Sequence, residues 1–394
     1  MVEELRPWIP NLSDRVDAAM RAVPRHLFLP DVPLERAYGL DPVVTHRDAD
    51  GVPISSASGT ATVAGMLQQL DVRTGHRVLE IGAGTGYNAA LLARLVGPSG
   101  SVTTIEYDEV VAAEAEEALS TLCGNVTVVH GDGMLGAPEG GLFDRIVVTA
   151  GAWDIPRAWW EQLADDGVLV VPLRILGLTR TVVFEQVGAC LCSRSVAEDG
   201  FMPMRGAGAV HEQNIPLGVG PDLVIRIDDD RPTDASALHG ALDHPVAVSW
   251  SGVSAPWGWT EHLDFWLAAL DGFCRCLISR EAVDAGRLTA PKELWGSMGV
   301  VEDGTLAYLT TRTRSGGDPE LPKYEIGACG YGSQGTDLAG RLAERVRAWD
   351  REGGAHLGVK VEAYPIDAAP VPASEVLLAA DKHDSRILVL AERS

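Results

Sequence analysis

At 394 residues, 46% apolar and 22% charged, the chain has the length of two ordinary domains and the composition of a soluble globular protein. A formal net charge of −23 repels phosphate backbones and argues against a nucleic acid partner; it reads as a solvated acidic surface that favours solubility, or as a general attraction for a basic peptide. The longest apolar runs, such as residues 168–173, fall far short of the roughly 20 residues a membrane helix needs, and no basic region followed by an apolar run opens the chain, so a cytoplasmic protein is expected.

In chain order, residues 1–30 read as a helix capped by Asn11 or Ser13 and closed by a Pro-bounded turn, with Leu12, Val16, Ala19, Met20 and Val23 at helical spacing. From Arg77 the pattern changes to short β-branched runs alternating with helical stretches. Strands are predicted at 77–81, 101–106, 126–130, 143–149 and 168–173, with helices at 87–95, 109–122 and 156–163. Alternation of this kind specifies a parallel sheet covered by helices on both faces, here closed by an antiparallel strand at 181–187. The Gly-rich stretch 204–220, followed by the acidic run 228–230 and Pro232, reads as a linker. Beyond it a helix is expected over 261–278, a hairpin at Asp303-Gly304, a helix over 338–349, and strands over 359–364 and 387–390. Leu263, Trp266, Leu267, Leu270, Phe273 and Leu277 form one apolar stripe on the first of these helices. Six of the ten Trp residues fall in this part, Trp257 and Trp259 among them; exposed they would mark a peptide-binding face, buried they would fill a core. Cys190-Leu-Cys192 and Cys274-Arg-Cys276 have neither zinc-finger nor thioredoxin spacing, which predicts reduced thiols and no metal.

The strongest signal lies where the first strand turns into a helix: Val78-Leu-Glu80-Ile-Gly82-Ala-Gly84-Thr85-Gly86-Tyr87. Glycines there let the backbone turn sharply and a ligand press against it. Dinucleotide sites use similar turns, but three details favour S-adenosylmethionine. The spacing is Gly-x-Gly-x-Gly. Glu80 precedes the loop, where a carboxylate can meet the cationic methionine end and would repel a pyrophosphate. Glu106 ends the second strand beside Tyr107, placed to accept hydrogen bonds from ribose hydroxyls. Gly131-Asp132-Gly133 follows the third strand, where Asp132 can reach the adenine amino group. The expected cofactor residues are therefore Glu80, Gly82, Gly84, Thr85, Gly86, Glu106, Tyr107, Asp132 and Gly133.

Flanking motifs carry a resemblance. Val23-Pro-Arg25-His-Leu-Phe28-Leu-Pro30, Ala37-Tyr38, the glycine loop ending Gly86-Tyr87-Asn88-Ala89-Ala90, Gly131-Asp132-Gly133, the run from Phe143 to Ala150, and Phe201-Met-Pro203-Met together resemble the protein-L-isoaspartate O-methyltransferase family over the first half of the chain. The repair enzymes of that family carry a Gln-Thr-Ile-Ser-Gln-Pro-like loop; here Ser58 stands at the loop serine and no Gln-Pro follows. The chain also continues for almost another half. A Ser-rich loop with a long extension resembles the subgroup associated with ribosomally made modified peptides (lanthipeptides, graspetides, lasso peptides). The resemblance implies a Rossmann-like α/β methyltransferase with an added C-terminal α+β domain. It implies methylation of an Asp in a macrocyclic precursor peptide, with S-adenosylhomocysteine as product and an ester that closes to aspartimide. The expected division is 1–76 for N-terminal helices and substrate loop, 77–210 for the cofactor-binding core, and 220–394 for substrate recognition.

An Asp carboxylate, with an unperturbed pKa of about 3.9, is already the nucleophile at neutral pH, so methyl transfer to it needs no general base. The site has only to strip water and align an oxygen with the methyl carbon. Ser55, Ser56 and Ser58 are the available hydroxyl donors, Ser58 first; the alternative is a flexible polar turn. His46, Arg47 and Trp153 are candidates for holding the peptide, against a solvated loop for the first two and core packing for the third. Asp48 and Asp50 before Gly51 read as turn chemistry. The competing functions are isoaspartate repair, a small-molecule methyltransferase with a closed pocket, and a non-catalytic binding protein.

Overall fold

The computed structural model describes residues 2–9, 11–210, 212–220, 222–228, 233–256, 262–293, 296–314, 323–368 and 376–393. Ser13 caps the helix Asp14–Ala22 by accepting from the Val16 N–H, and Val16, Ala19 and Met20 are its buried face. Five parallel strands follow, in the spatial order Val126–His130, Ser101–Glu106, Arg77–Ile81, Phe143–Val148 and Leu163–Ile175. The central strand is buried from Val78 to Ile81, as a strand covered on both faces must be. Helices Tyr87–Val96, Glu109–Ser120 and Arg157–Gln162 make the crossovers. Strand order reverses between Arg77–Ile81 and Phe143–Val148, which opens a crevice at the carboxyl ends of those two strands.

Leu178–Val187 returns antiparallel, and Cys190–Glu198 pairs beyond it. The sheet continues from there with the end of the chain. Leu357–Pro365 pairs with Cys190–Glu198 through Glu362–Cys192 and Ala363–Leu191; Ser385–Arg393 and Val376–Asp381 follow outward, giving ten strands. The expected division at residue 220 changes accordingly, because the last three strands belong to the first sheet. Left alone, Cys190–Glu198 would present an unpaired backbone edge, which this arrangement covers.

The middle of the chain builds a seven-stranded antiparallel sheet, with the helix Gly335–Arg351 packed on Ala247–Pro256 and Lys323–Tyr331. Its outermost strand is Gln213–Leu217, inside the expected linker, where Ile215 and Leu217 alternate into the core. Residues 229, 230 and 232 of that linker, residue 261, and Trp257 and Trp259 lie outside the described residues. The expected helix over 261–278 divides into a helix Leu263–Ala268 and a strand Phe273–Ile278. Gly272 between them sits at φ +78°, and a Cβ there would lie 2.2 Å from the Val301 carbonyl oxygen, so the chain turns where the apolar stripe alone suggested continuation. Asp303 and Gly304, both at positive φ, form the expected hairpin turn.

One apolar core runs through both halves, joining Leu79, Ile105 and Phe184 to Val253, Phe265, Leu338, Trp349 and Val361. Buried ion pairs Arg174–Asp228 (3.1 Å) and Arg180–Asp264 cross between the same parts. The six cysteines are free thiols, and no helix among the described residues is long and apolar enough to cross a membrane.

Candidate active site

A cavity of about 400 Å³ occupies the crevice at the strand-order reversal. Gly82, Gly84 and Gly86 all adopt positive φ, and a Cβ on Gly82 would meet the Thr149 hydroxyl oxygen at 2.5 Å. Gly82 is therefore required by the close approach of the neighbouring strand end. Gly82, Gly84, Thr85, Glu106, Tyr107 and Gly133 line the cavity. The Glu106 carboxylate is fixed from behind: Oε2 accepts from the Gly84 N–H (3.0 Å) and Oε1 from the Asp108 N–H (3.2 Å). Its remaining lone pairs can accept from a vicinal diol.

The opposite wall comes from the N-terminal region. Val43–Arg47 and Pro53–Ala57 pair as a short antiparallel hairpin, and the loop after it enters the helix Thr60–Leu70. Ser55, Ser56 and Ser58 all line the cavity. Ser55 is buried and accepts from the Thr45 hydroxyl (3.1 Å), whereas Ser56 and Ser58 are half-buried.

Several expected contacts fall elsewhere. Glu80 is fully buried, with Asn88 and Thr104 donating to its carboxyl at 2.7 and 2.6 Å; it props Asn88, which does line the cavity. Desolvation pushes its pKa up to about 7, and both of its oxygens are already engaged by Asn88 and Thr104. Asp132 accepts from the Met134 N–H (2.9 Å) and the Ala207 N–H (2.7 Å), holding the turn Gly206–Gly208, and is not on the lining. Gly86 heads the helix Tyr87–Val96 instead of facing the cavity. His46 points its Nε2 at Glu114 (3.1 Å) and Arg47 donates to the Gly51 carbonyl (2.8 Å), both within local structure. Asp48 accepts from the Asp50 and Val52 N–H groups, which is turn chemistry. Trp153 lies between Arg174 and Lys382, 5.7 and 3.9 Å from its ring centre. Among the described residues, His46, Arg47 and Trp153 do not line the cavity.

Residue-level reading missed Arg25, Asn88, Asp199 and the segment Phe201–Arg205, all on the lining. The segment is bound to the sheet end by Gly151 N–H to Met202 O (2.7 Å) and Met204 N–H to Gly151 O (3.0 Å). The same segment holds the Phe201-Met-Pro203-Met motif that resembles the family.

Comparison with known proteins agrees with this geometry. Residues 1–206 match the family described as Protein-L-isoaspartate(D-aspartate) O-methyltransferase (PCMT). A protein-L-isoaspartate O-methyltransferase of Methanococcoides burtonii is 37% identical over 195 residues, 49% of this chain and 93% of its own length. That of Methanoregula boonei is 41% identical over 194 residues, 49% of this chain and 85% of its own. A solved structure named protein-L-isoaspartate O-methyltransferase shares the fold at 22% identity and a TM-score of 0.51, over 92% of this chain and 96% of its own. That likeness runs well past residue 206, so the C-terminal extension by itself does not separate this chain from proteins so named.

Proposed function

The chain belongs to the protein-L-isoaspartate(D-aspartate) O-methyltransferase family, and from that premise we propose that it methylates the side-chain carboxylate of an aspartate in a modified, macrocyclic ribosomal peptide. As a member it is an S-adenosylmethionine-dependent carboxyl O-methyltransferase. The cofactor supplies an electrophilic methyl group and leaves as S-adenosylhomocysteine. Glu106 and the glycine turn would bind its ribose end, while Ser56 and Ser58 orient the acceptor carboxylate without a tight ion pair that would blunt it. Burial along the shared wall would strip water from that oxygen.

The observation that carries this reading is the meeting of the Ser55–Ser58 loop, the glycine turn and Glu106 around one cavity. A net charge of −23 favours a basic leader or substrate segment. Once the ester forms, the next backbone nitrogen attacks its carbonyl carbon, methanol leaves, and a five-membered aspartimide results from proximity alone. Such a peptide would be met in the cytoplasm, with the C-terminal region recognising it. Repair of isoaspartate in damaged proteins is the second reading, favoured by the names of the relatives. Incubation with S-adenosylmethionine separates the two. The precursor peptide encoded beside the gene should gain one methyl and then show a net loss of water, while an isoaspartyl model peptide is largely ignored. Rapid turnover of the model peptide with none of the precursor would establish repair instead.

A further inference from the structure

Away from the cavity, Cys190, Cys192 and Glu362 bring their sulfur and carboxylate oxygen atoms within 4.8 Å of one another. Strand geometry puts them there. Cys190 and Cys192 are two apart on the strand Cys190–Glu198 and so share a face, while Leu191 between them is buried in the core. Glu362 stands opposite Cys192 on the strand Leu357–Pro365, and cross-strand partners project to the same side. Cys-x-Cys spacing by itself implies no metal; the third ligand comes from a strand that only the fold brings alongside. Cys190 is buried and Cys192 half-buried, which leaves an ion an approach from one side.

The carboxylate is already oriented. Lys360 donates to Glu362 Oε1 (2.8 Å) and the Tyr364 hydroxyl to Oε2 (2.6 Å), and each oxygen keeps a lone pair for a metal. Two thiolates and a carboxylate around a divalent cation leave one excess negative charge, which the Lys360 ammonium offsets. The two sulfurs lie 3.0 Å apart. Tetrahedral zinc, with Zn–S of about 2.3 Å, holds two sulfurs about 3.8 Å apart, an opening that a small χ1 rotation of Cys192 supplies. A disulfide fits less well, because residues two apart on an extended strand have Cα atoms roughly 6.6 Å apart, at the far end of the disulfide range. Mixed sulfur and oxygen donors suit zinc better than a hard cation such as magnesium or a soft one such as Cu(I). By contrast, Cys274 and Cys276, 3.9 Å apart, gain no third ligand within the same reach among the described residues.

We propose that Cys190, Cys192 and Glu362 bind a zinc ion, with water as fourth ligand, and that the ion clamps the C-terminal strands to the first sheet. The seam it spans is short. Leu357–Pro365 pairs with Cys190–Glu198 through Glu362–Cys192 and Ala363–Leu191, and the Ser193 hydroxyl accepts from the Val361 N–H (2.8 Å). Ligands from both strands tie the seam together, so the binding energy of the ion stabilises the fold. None of the three ligands lines the cavity; the ion is structural and takes no part in methyl transfer.

Cobalt titration of the full chain, with its thiols kept reduced, tests this, since Co2+ enters zinc sites and reports its ligands by its colour. One ion per chain should bind with a Kd below about 1 μM. It should show thiolate-to-cobalt charge-transfer absorption and the intense visible bands of four-coordinate cobalt, and zinc should displace it and raise the Tm. Cys192→Ser should weaken binding by about a hundredfold or more and remove most of the charge-transfer band; Glu362→Gln should weaken it by about tenfold with the band retained. Absence of binding, or a weak spectrum without charge transfer, would overturn the site. So would a band unchanged in Cys192→Ser, which would place the sulfur ligands elsewhere, or an affinity unchanged in Glu362→Gln. Tight binding with no rise in Tm would overturn the clamp. The wild-type spectrum and Tm need no variant, so misfolding of a substituted chain cannot obscure the result.

Discussion

Burial holds the Glu80 carboxyl at a pKa of about 7 against an ordinary 4.5; desolvation outweighs the Thr104 and Asn88 hydrogen bonds, and the Glu106 charge adds to the rise. Between those two values the folded protein keeps a proton that the unfolded chain has released. Stability therefore falls as pH rises through that window, by on the order of 3 kcal/mol at full effect. Glu80→Gln cannot titrate. The stability difference between Glu80→Gln and the wild type should thus shift in favour of the variant by about 1–3 kcal/mol between pH 4.5 and 8 in urea unfolding; a difference independent of pH would refute the burial argument. Glu106 makes the contrasting case, since its oxygens are pinned by backbone N–H groups beside the cavity. Glu106→Ala should weaken S-adenosylhomocysteine binding by about tenfold or more with little loss of thermal stability, measured by calorimetry. Gly82, Gly84 and Glu106 meet on one cavity because they stand at the carboxyl ends of two adjacent parallel strands, which local periodicity locates. Glu80 and Asp132 lie off the cavity lining, because sequence gives a residue's position on a strand end and not which neighbours reach its oxygens first. Arg25 was illegible for the same reason, since its partners lie up to 33 positions away.

At the scale of elements, the five parallel strands and their crossover helices were readable because each needs only local periodicity, and three of the strands occur at the expected bounds. The later half was read less well where a distant contact decides the outcome. Gly272 turns the chain because the Val301 carbonyl stands in the way of any side chain, and Gln213–Leu217 becomes a strand because Leu223–Ile227 lies beside it. A similar long-range tie sits at Asp154, which is 5% exposed. Its carboxylate accepts from the Ile155 N–H, the Asp384 N–H and the Ser385 hydroxyl, so the loop after the fourth parallel strand holds the turn of the last hairpin. Hydrogen bonds to a charged group contribute about 1.5–3 kcal/mol each. Asp154→Ala should cost about 3 kcal/mol or more in chemical denaturation, and Asp154→Asn less. A loss below about 0.5 kcal/mol for both would show that the hairpin turn is held without it.

For the whole molecule, the family match ends at residue 206, which makes that point a tempting place to cut the chain. The packing argues against it. Ile155, Leu173, Ile175, Phe184 and Leu191 lie in the core shared with Val253, Phe265, Trp349 and Val361, and Cys190–Glu198 finds its outer partner among the described residues in Leu357–Pro365. A chain stopped at residue 210 would expose that apolar face and a free strand edge together, the combination that drives association between sheets. The shortened chain should therefore elute as soluble aggregates or fail to stay in solution, and lose cooperative thermal unfolding. A monomer that unfolds in one transition and binds S-adenosylhomocysteine as tightly as the full chain would contradict the shared core. If the shortened chain does associate, co-expression with residues 211–394 should restore a soluble complex, because the missing strand and the missing half of the core are then supplied in trans.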